Sequence, residues 1–145
     1  MSARGPIVDL ACGSGRNGLF LARLGLPVVF ADHSQEASES VAGELHAHGL
    51  PDETWHVDLE AGTGNPLAGR RFAAALVFRY LHRPLMPYLI ASILPGGLVV
   101  YETFTLRNPE YGRPATRTSC SARRARHALR GLDHAPLLRG LPPGP

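Results

Sequence analysis

The sequence predicts an α/β domain, a doubly wound, mostly parallel sheet with helices on both faces. Three observations carry that expectation. Short, continuously apolar runs alternate with helix-period segments, an acid stands at the end of each of the first three runs, and a three-glycine turn follows the first of them. Strands covered on both faces read as unbroken apolar stretches, whereas a sheet with one wet face alternates apolar and polar residues. A length of 145 residues, 44% of them hydrophobic, is one domain's worth of chain.

Ile7 to Leu10 opens the series as a strand that carries Asp9 within its end and breaks into Gly13-Ser-Gly15-Arg-Asn-Gly18. A helix over 17–24 follows, with Leu19, Phe20, Leu21 and Leu24 covering one broad face and Gly25 and Pro27 stopping it. Val28 to Ala31 is a buried strand that ends at Asp32. Over 35–48, Ala37, Val41 and Leu45 recur at spacings of four and predict an amphipathic helix, which Gly49 and Pro51 end. A third strand over 54–59 ends near Asp58, and a polar, Gly-rich link over 60–71 leads to the nearly all-apolar Phe72–Phe78. Residues 85–94 then predict a helix closed by Pro95-Gly96-Gly97, and 98–104 a fifth strand.

Every one of the 15 basic residues is Arg, against 12 acids, and the charge is unevenly placed. Residues 1–114 hold 9 Arg and 11 acids, whereas 115–145 hold 6 Arg and the single acid Asp133. The basic excess that would point to nucleic acid or an anionic membrane therefore belongs to the tail alone, and neither partner is expected. Cys12 and Cys120 are too far apart for a CxxC pair and too few for a disulfide scaffold, so no metal site is expected. The start runs directly into a strand without a leader-like apolar stretch, and no apolar run approaches the roughly 18 to 20 residues that span a bilayer. A soluble cytoplasmic protein is expected.

The glycine turn has the GxGxxG form that brings backbone N–H groups close to a ligand at a helix N-terminus. It follows a strand, opens a helix, and is followed 17 residues after Gly15 by Asp32, where a carboxylate can accept both hydroxyls of a ribose. Dinucleotides and S-adenosylmethionine both use this arrangement, and Asp9, four residues before Gly13, separates them. A carboxylate there serves a pyrophosphate poorly and suits a cofactor with an amino group and a sulfonium centre. Asp58 could accept from an adenine amino group, or could cap a turn.

Ile7-Val-Asp9-Leu-Ala-Cys-Gly13-Ser-Gly15-Arg-Asn-Gly18, Phe30-Ala-Asp32-His-Ser34, Val57-Asp58-Leu59 and Leu94-Pro-Gly-Gly97 together resemble the class I S-adenosylmethionine-dependent methyltransferases, over about residues 6–113. Phe78-Arg-Tyr80-Leu-His82-Arg-Pro84, Tyr101-Glu-Thr-Phe-Thr105 and Tyr111-Gly-Arg-Pro114 resemble, within that class, small bacterial enzymes of the tellurite-resistance kind. The resemblance implies a methyltransferase-type Rossmann-like fold and methyl transfer to a small-molecule acceptor. It implies that Asp9, Gly13 and Gly15 hold the methionine part, Asp32 the ribose, and Asp58 with Leu59 the adenine, while residues near Phe78 close over the cofactor and His33 is a further cofactor contact. A NAD-dependent oxidoreductase and a non-catalytic nucleotide-binding remnant are the alternatives. The chain departs from the pattern at Phe72-Ala-Ala-Ala75, where such domains often place an acid.

Methyl transfer from a sulfonium needs alignment in a dry, correctly charged pocket more than it needs a base, so no catalytic set is assigned. His82 is a candidate base against a helix-start role, Glu102 either faces a pocket or needs a buried partner, Tyr80 lies near where an acceptor enters, and Cys12 occupies a turn that can lower a thiol pKa or simply packs. After Pro114 the chain shows no alternation suited to the last two strands of the full fold. Shifted by one base, codons for this stretch allow Arg-Asn-Pro-Asp-Phe-Leu-Leu across Ala115 to Ser121, in keeping with a frameshifted end. Residues 1–114 are thus expected to form the cofactor-binding core, and 115–145 an Arg-rich tail foreign to it.

Overall fold

The computed structural model describes residues 4–51, 53–62 and 64–103. Five strands, β1 (Ile7–Leu10), β2 (Val28–Asp32), β3 (Thr54–His56), β4 (Phe72–Phe78) and β5 (Ile93–Glu102), form one sheet in the order β3-β2-β1-β4-β5 with every pairing parallel. The helices are α1 (Arg16–Arg23), α2 (Gln35–Ala47) and α3 (Met86–Ser92), the last preceded by a single 3-10 turn at Arg83–Leu85. This is the expected methyltransferase-type α/β architecture. The expected tail over 115–145, the boundary at 114 and the two missing strands lie outside the described residues. Among the described residues no helix is long and apolar enough to cross a membrane.

The alternating sides of the strands build two separate cores, which is why the strands had to be apolar throughout. On one face Val28 and Phe30 of β2 pack against Leu19 and Ala22 of α1 and Val41 and Leu45 of α2. On the other, Val8, Leu10, Val29, Ala31, Ala75 and Val77 pack with Leu85 and Leu89 beneath α3. A buried Leu contributes roughly 1.5–3 kcal/mol, so these two layers fix the sheet rigidly between the helices.

The third and fifth strands depart furthest from the sequence reading, while helix ends shift by one or two residues. The third strand stops at His56, so Asp58 stands in the turn beyond it, where its Oδ1 accepts the Glu60 N–H at 2.9 Å. The fifth strand begins at Ile93, five residues early, and takes in Pro95-Gly96-Gly97 as an irregularity: the register with β4 slips between Phe72 and Ala74, and Gly96 has φ 76°. A Cβ on Gly97 would lie 2.7 Å from the Ala73 carbonyl oxygen, so glycine lets the two strands approach there.

From β1 the chain crosses to β2 and β3, and from β4 it crosses to β5 on the opposite side. The connections leaving β1 and β4 therefore diverge, and the crevice between them at the carboxyl ends of the strands is where sheets of this kind bind ligands.

Candidate functional site

The crevice is entered by two non-glycine residues in the left-handed region, Ala11 (φ 51°) just beyond β1 and Arg79 (φ 55°) just beyond β4. Such a conformation costs roughly 1–2 kcal/mol per residue, and each is held by a hydrogen bond beside it: Cys12 N–H to Ala31 O at 3.1 Å, and Arg79 N–H to Glu102 O at 2.8 Å. Sequence reasoning missed both, because Ala and Arg carry no signal for positive φ.

Asp9 is 3% exposed, and its Oδ2 accepts the Gly18 N–H at 3.0 Å. Gly18 lies in the first turn of α1, among the backbone donors that a helix leaves unpaired. The positive end of α1 is thus already engaged by a carboxylate of the chain itself. Glycine is required at this point, since a Cβ on Gly18 would stand 2.5 Å from the Phe30 ring and 2.7 Å from Asp9 Oδ2. Burial pushes the Asp9 carboxyl up to about 6; the Gly18 hydrogen bond opposes that rise and the Asp32 charge adds to it.

Asp32, 6% exposed at the end of β2, binds the glycine turn from the other side. Its Oδ2 accepts the Gly13 N–H at 2.8 Å and its Oδ1 accepts the Ser34 N–H at 2.9 Å. His33 Nδ1 lies 3.4 Å from the same Oδ1, with the imidazole largely exposed at the rim. A Cβ on Gly13 would meet nothing within 4 Å, so the turn faces open room there, whereas one on Gly15 would stand 2.8 Å from Val41. Gly13 borders the crevice and Gly15 serves packing against α2.

The β3 side joins this group through backbone: Val57 N–H donates to Asp32 O at 2.9 Å, and His56 Nε2 lies 2.8 Å from His33 O. Asp58 is exposed on the rim, while the Leu59 side chain is buried in the core beneath α3. Phe78 is half-buried at the end of β4. Structure therefore ties Gly13, Asp32 and His33 into one bonded cluster, with Asp9 bonded separately to Gly18 and Asp58 and Phe78 at the ends of neighbouring elements.

The remaining candidates separate. His82 stands at the start of the 3-10 turn, where its carbonyl accepts the Leu85 N–H at 3.0 Å, as its helix-start reading expects. Glu102 is exposed and needs no buried partner. Cys12 is not activated: burial, with the Asp9 and Asp32 charges, pushes its thiol up to about 12. Tyr80 packs against the core beneath α3, and its hydroxyl is buried without a hydrogen-bond partner among the described residues. Among the described residues no cluster of three His, Cys, Asp or Glu could hold a metal.

Comparison with known proteins agrees with this architecture. The family described as tellurite resistance protein TehB matches residues 2–94. A protein of Eikenella corrodens called hemagglutinin 1 is 35% identical over 94 residues, covering 62% of this chain and 31% of its own length. The structure of TehB from Haemophilus influenzae superposes with a TM-score of 0.69 at 17% identity, covering 88% of this chain and 46% of that one. That of coclaurine N-methyltransferase bound to N-methylheliamine and SAH gives 0.57 at 19% identity, covering 66% and 29%. The chain thus spans about a third of the curated relative it matches and less than half of either of these solved chains.

Proposed function

The chain belongs to the TehB tellurite-resistance family, within the class I S-adenosylmethionine-dependent methyltransferases, and from that premise we propose that it binds S-adenosylmethionine and transfers a methyl group to a small-molecule acceptor in the cytoplasm. One observation carries the cofactor reading: the donors a pyrophosphate would use are taken by carboxylates. Gly18 N–H serves Asp9 and Gly13 N–H serves Asp32, so the crevice floor is anionic. Dinucleotide sites instead leave the helix N-terminus free for phosphate. An anionic floor favours a cationic ligand, and S-adenosylmethionine carries an ammonium group and a sulfonium-activated methyl.

In this reading Asp9, Gly13 and Gly15 form the methionine end and Asp32 with His33 the ribose end. Asp58 with the Leu59 backbone forms the adenine end, and Phe78 closes over the cofactor. The chain's own contribution is to bind, orient and exclude water, which is the larger part of the catalytic requirement for methyl transfer. The acidic floor also raises the free energy of the protein before ligand arrives, since two buried carboxylates repel each other; a cation relieves that repulsion.

Titration calorimetry of the full chain with S-adenosylmethionine, S-adenosylhomocysteine and NAD tests the proposal. Binding of the first two, weakened at least tenfold by Asp32→Ala, is expected. Binding of NAD alone overturns it.

A further inference from the structure

Parallel strands call for cover on both faces, and β5 has it on one. Val99 and Tyr101 pack towards the core beneath α3, whereas Leu98 and Val100 point to the opposite side and are exposed. Register identifies that side. Val100 pairs with Leu76, Leu76 with Asp9 and Asp9 with Phe30, so Leu98 and Val100 share the face that carries α1 and α2. There α1 packs over β1 and β2, and α2 over β2 and β3. The apolar side of β5 is left bare among the described residues.

α1 carries a matching surface. Its Gly18, Leu19 and Ala22 are buried against the sheet, and on the opposite side of the helix Phe20 and Leu24 are 63% and 64% exposed. Residues four apart on a helix stand in one row, so exposed Arg16 precedes Phe20 in it. Successive members of the row are about 6 Å apart. On β5, Leu98, Val100 and Glu102 are alternate residues on one side of the strand, spaced at about 6.6 Å. Because α1 joins parallel β1 to β2, it runs back against the strands. Arg16, Phe20 and Leu24 of one copy, laid along Glu102, Val100 and Leu98 of another, therefore set opposite charges together and apolar side chains together. Arg16 and Glu102 are both exposed, and neither side chain is paired among the described residues.

We propose that this face is the interface between two copies of the chain, related by a two-fold axis parallel to the strands. The α1 row of each copy fills the bare side of β5 in the other, so every contact occurs twice. A standard interface covers roughly 800 Å² per partner, a little over half of it apolar. Phe20, Leu24, Leu26, Leu98 and Val100 expose apolar surface on the order of 400 Å² in each copy, close to that requirement.

Analytical ultracentrifugation of the full chain tests this, with circular dichroism to verify the fold of each variant. Wild type should sediment as a dimer at micromolar concentration. Phe20→Ser with Leu24→Ser, and separately Leu98→Thr with Val100→Thr, should each weaken dimerisation at least tenfold. Arg16→Glu and Glu102→Arg should each weaken it about fivefold. The two charge reversals combined in one chain should restore the dimer, a recovery that a misfolded variant does not show. A monomeric wild type, whether residues 104–145 cover the face or nothing does, overturns the proposal. A dimer indifferent to the α1 variants overturns it too, since the contact would then lie at the strand edge alone. Charge reversals without effect, or without recovery when combined, have the same consequence.

Discussion

Asp9, assigned above to the proposed methionine end, is buried at the expense of the fold. Its carboxyl rises from an ordinary 3.8 to about 6, so between those values the folded chain holds more proton than the unfolded one. The stability linked to Asp9 is therefore fully present below about pH 4 and is lost as pH climbs through about 6, a change of roughly 2–3 kcal/mol. Asp9→Asn should flatten that part of the pH profile and raise the melting temperature at pH 7, measured by thermal unfolding from pH 4 to 8. Binding of S-adenosylmethionine should follow the opposite trend in wild type, weakening as pH drops below about 6 and the carboxylate is neutralised; calorimetry at pH 5 and 7 checks this. Beside it, Gly18→Ala drives a Cβ to within 2.5 Å of Phe30 and 2.7 Å of Asp9. Overpacking of that kind costs roughly 1–3 kcal/mol, and it should lower the melting temperature. Gly18 was legible as a member of a motif, but its reason was not, because the Phe30 ring that demands it comes from another strand.

At the scale of elements, α2 is the part the sequence specified most completely. Its apolar Val41 and Leu45 are fully buried, Gly49 follows its end, and Ser34 caps its start by accepting the Ala37 N–H at 3.1 Å. Ser34→Ala should cost about 1 kcal/mol, read as a lower denaturant midpoint with an unchanged slope. The same residue's N–H holds Asp32, so the variant tests the cap alone, since the backbone donor remains. Strand β5 was less legible. Pro95-Gly96-Gly97 carries the local signal of a helix stop and a turn, yet the strand pairs with β4 before it at Ile93 and again after it from Leu98, because the two strands can approach where Gly97 has no side chain. β3 is shorter than its apolar run implied, since Val57 N–H turns to the Asp32 carbonyl while Leu59 folds into the core. Neighbouring elements, not the segment's own composition, set those ends.

For the whole molecule, the strand order decides where the proposed cofactor site lies. The switch point lies between β1 and β4, beside Asp9 of β1 and Asp32 of β2, residues 23 positions apart in the chain. The same order leaves β5 at the end of the described sheet, with Leu98 and Val100, 41% and 38% exposed, on its outward side. Apolar residues on an end strand favour association. Leu98→Thr with Val100→Thr should reduce concentration-dependent light scattering and leave cofactor affinity unchanged, because neither side chain reaches the crevice cluster.

By itself the sequence determined the fold class, the order of elements, the glycine turn and the acids at the strand ends. Those follow from apolar periodicity and from glycine, proline and capping residues, which act within a few residues of where they stand. The tertiary structure alone decided that the N–H groups of Gly13 and Gly18 belong to Asp32 and Asp9, that Ala11 and Arg79 turn left-handed, and that the Tyr80 carbonyl receives the Tyr101 hydroxyl. Each depends on distances between strands that only parallel pairing brings side by side, and hydrogen bonds and desolvation act over ångströms in space, whatever the separation along the chain.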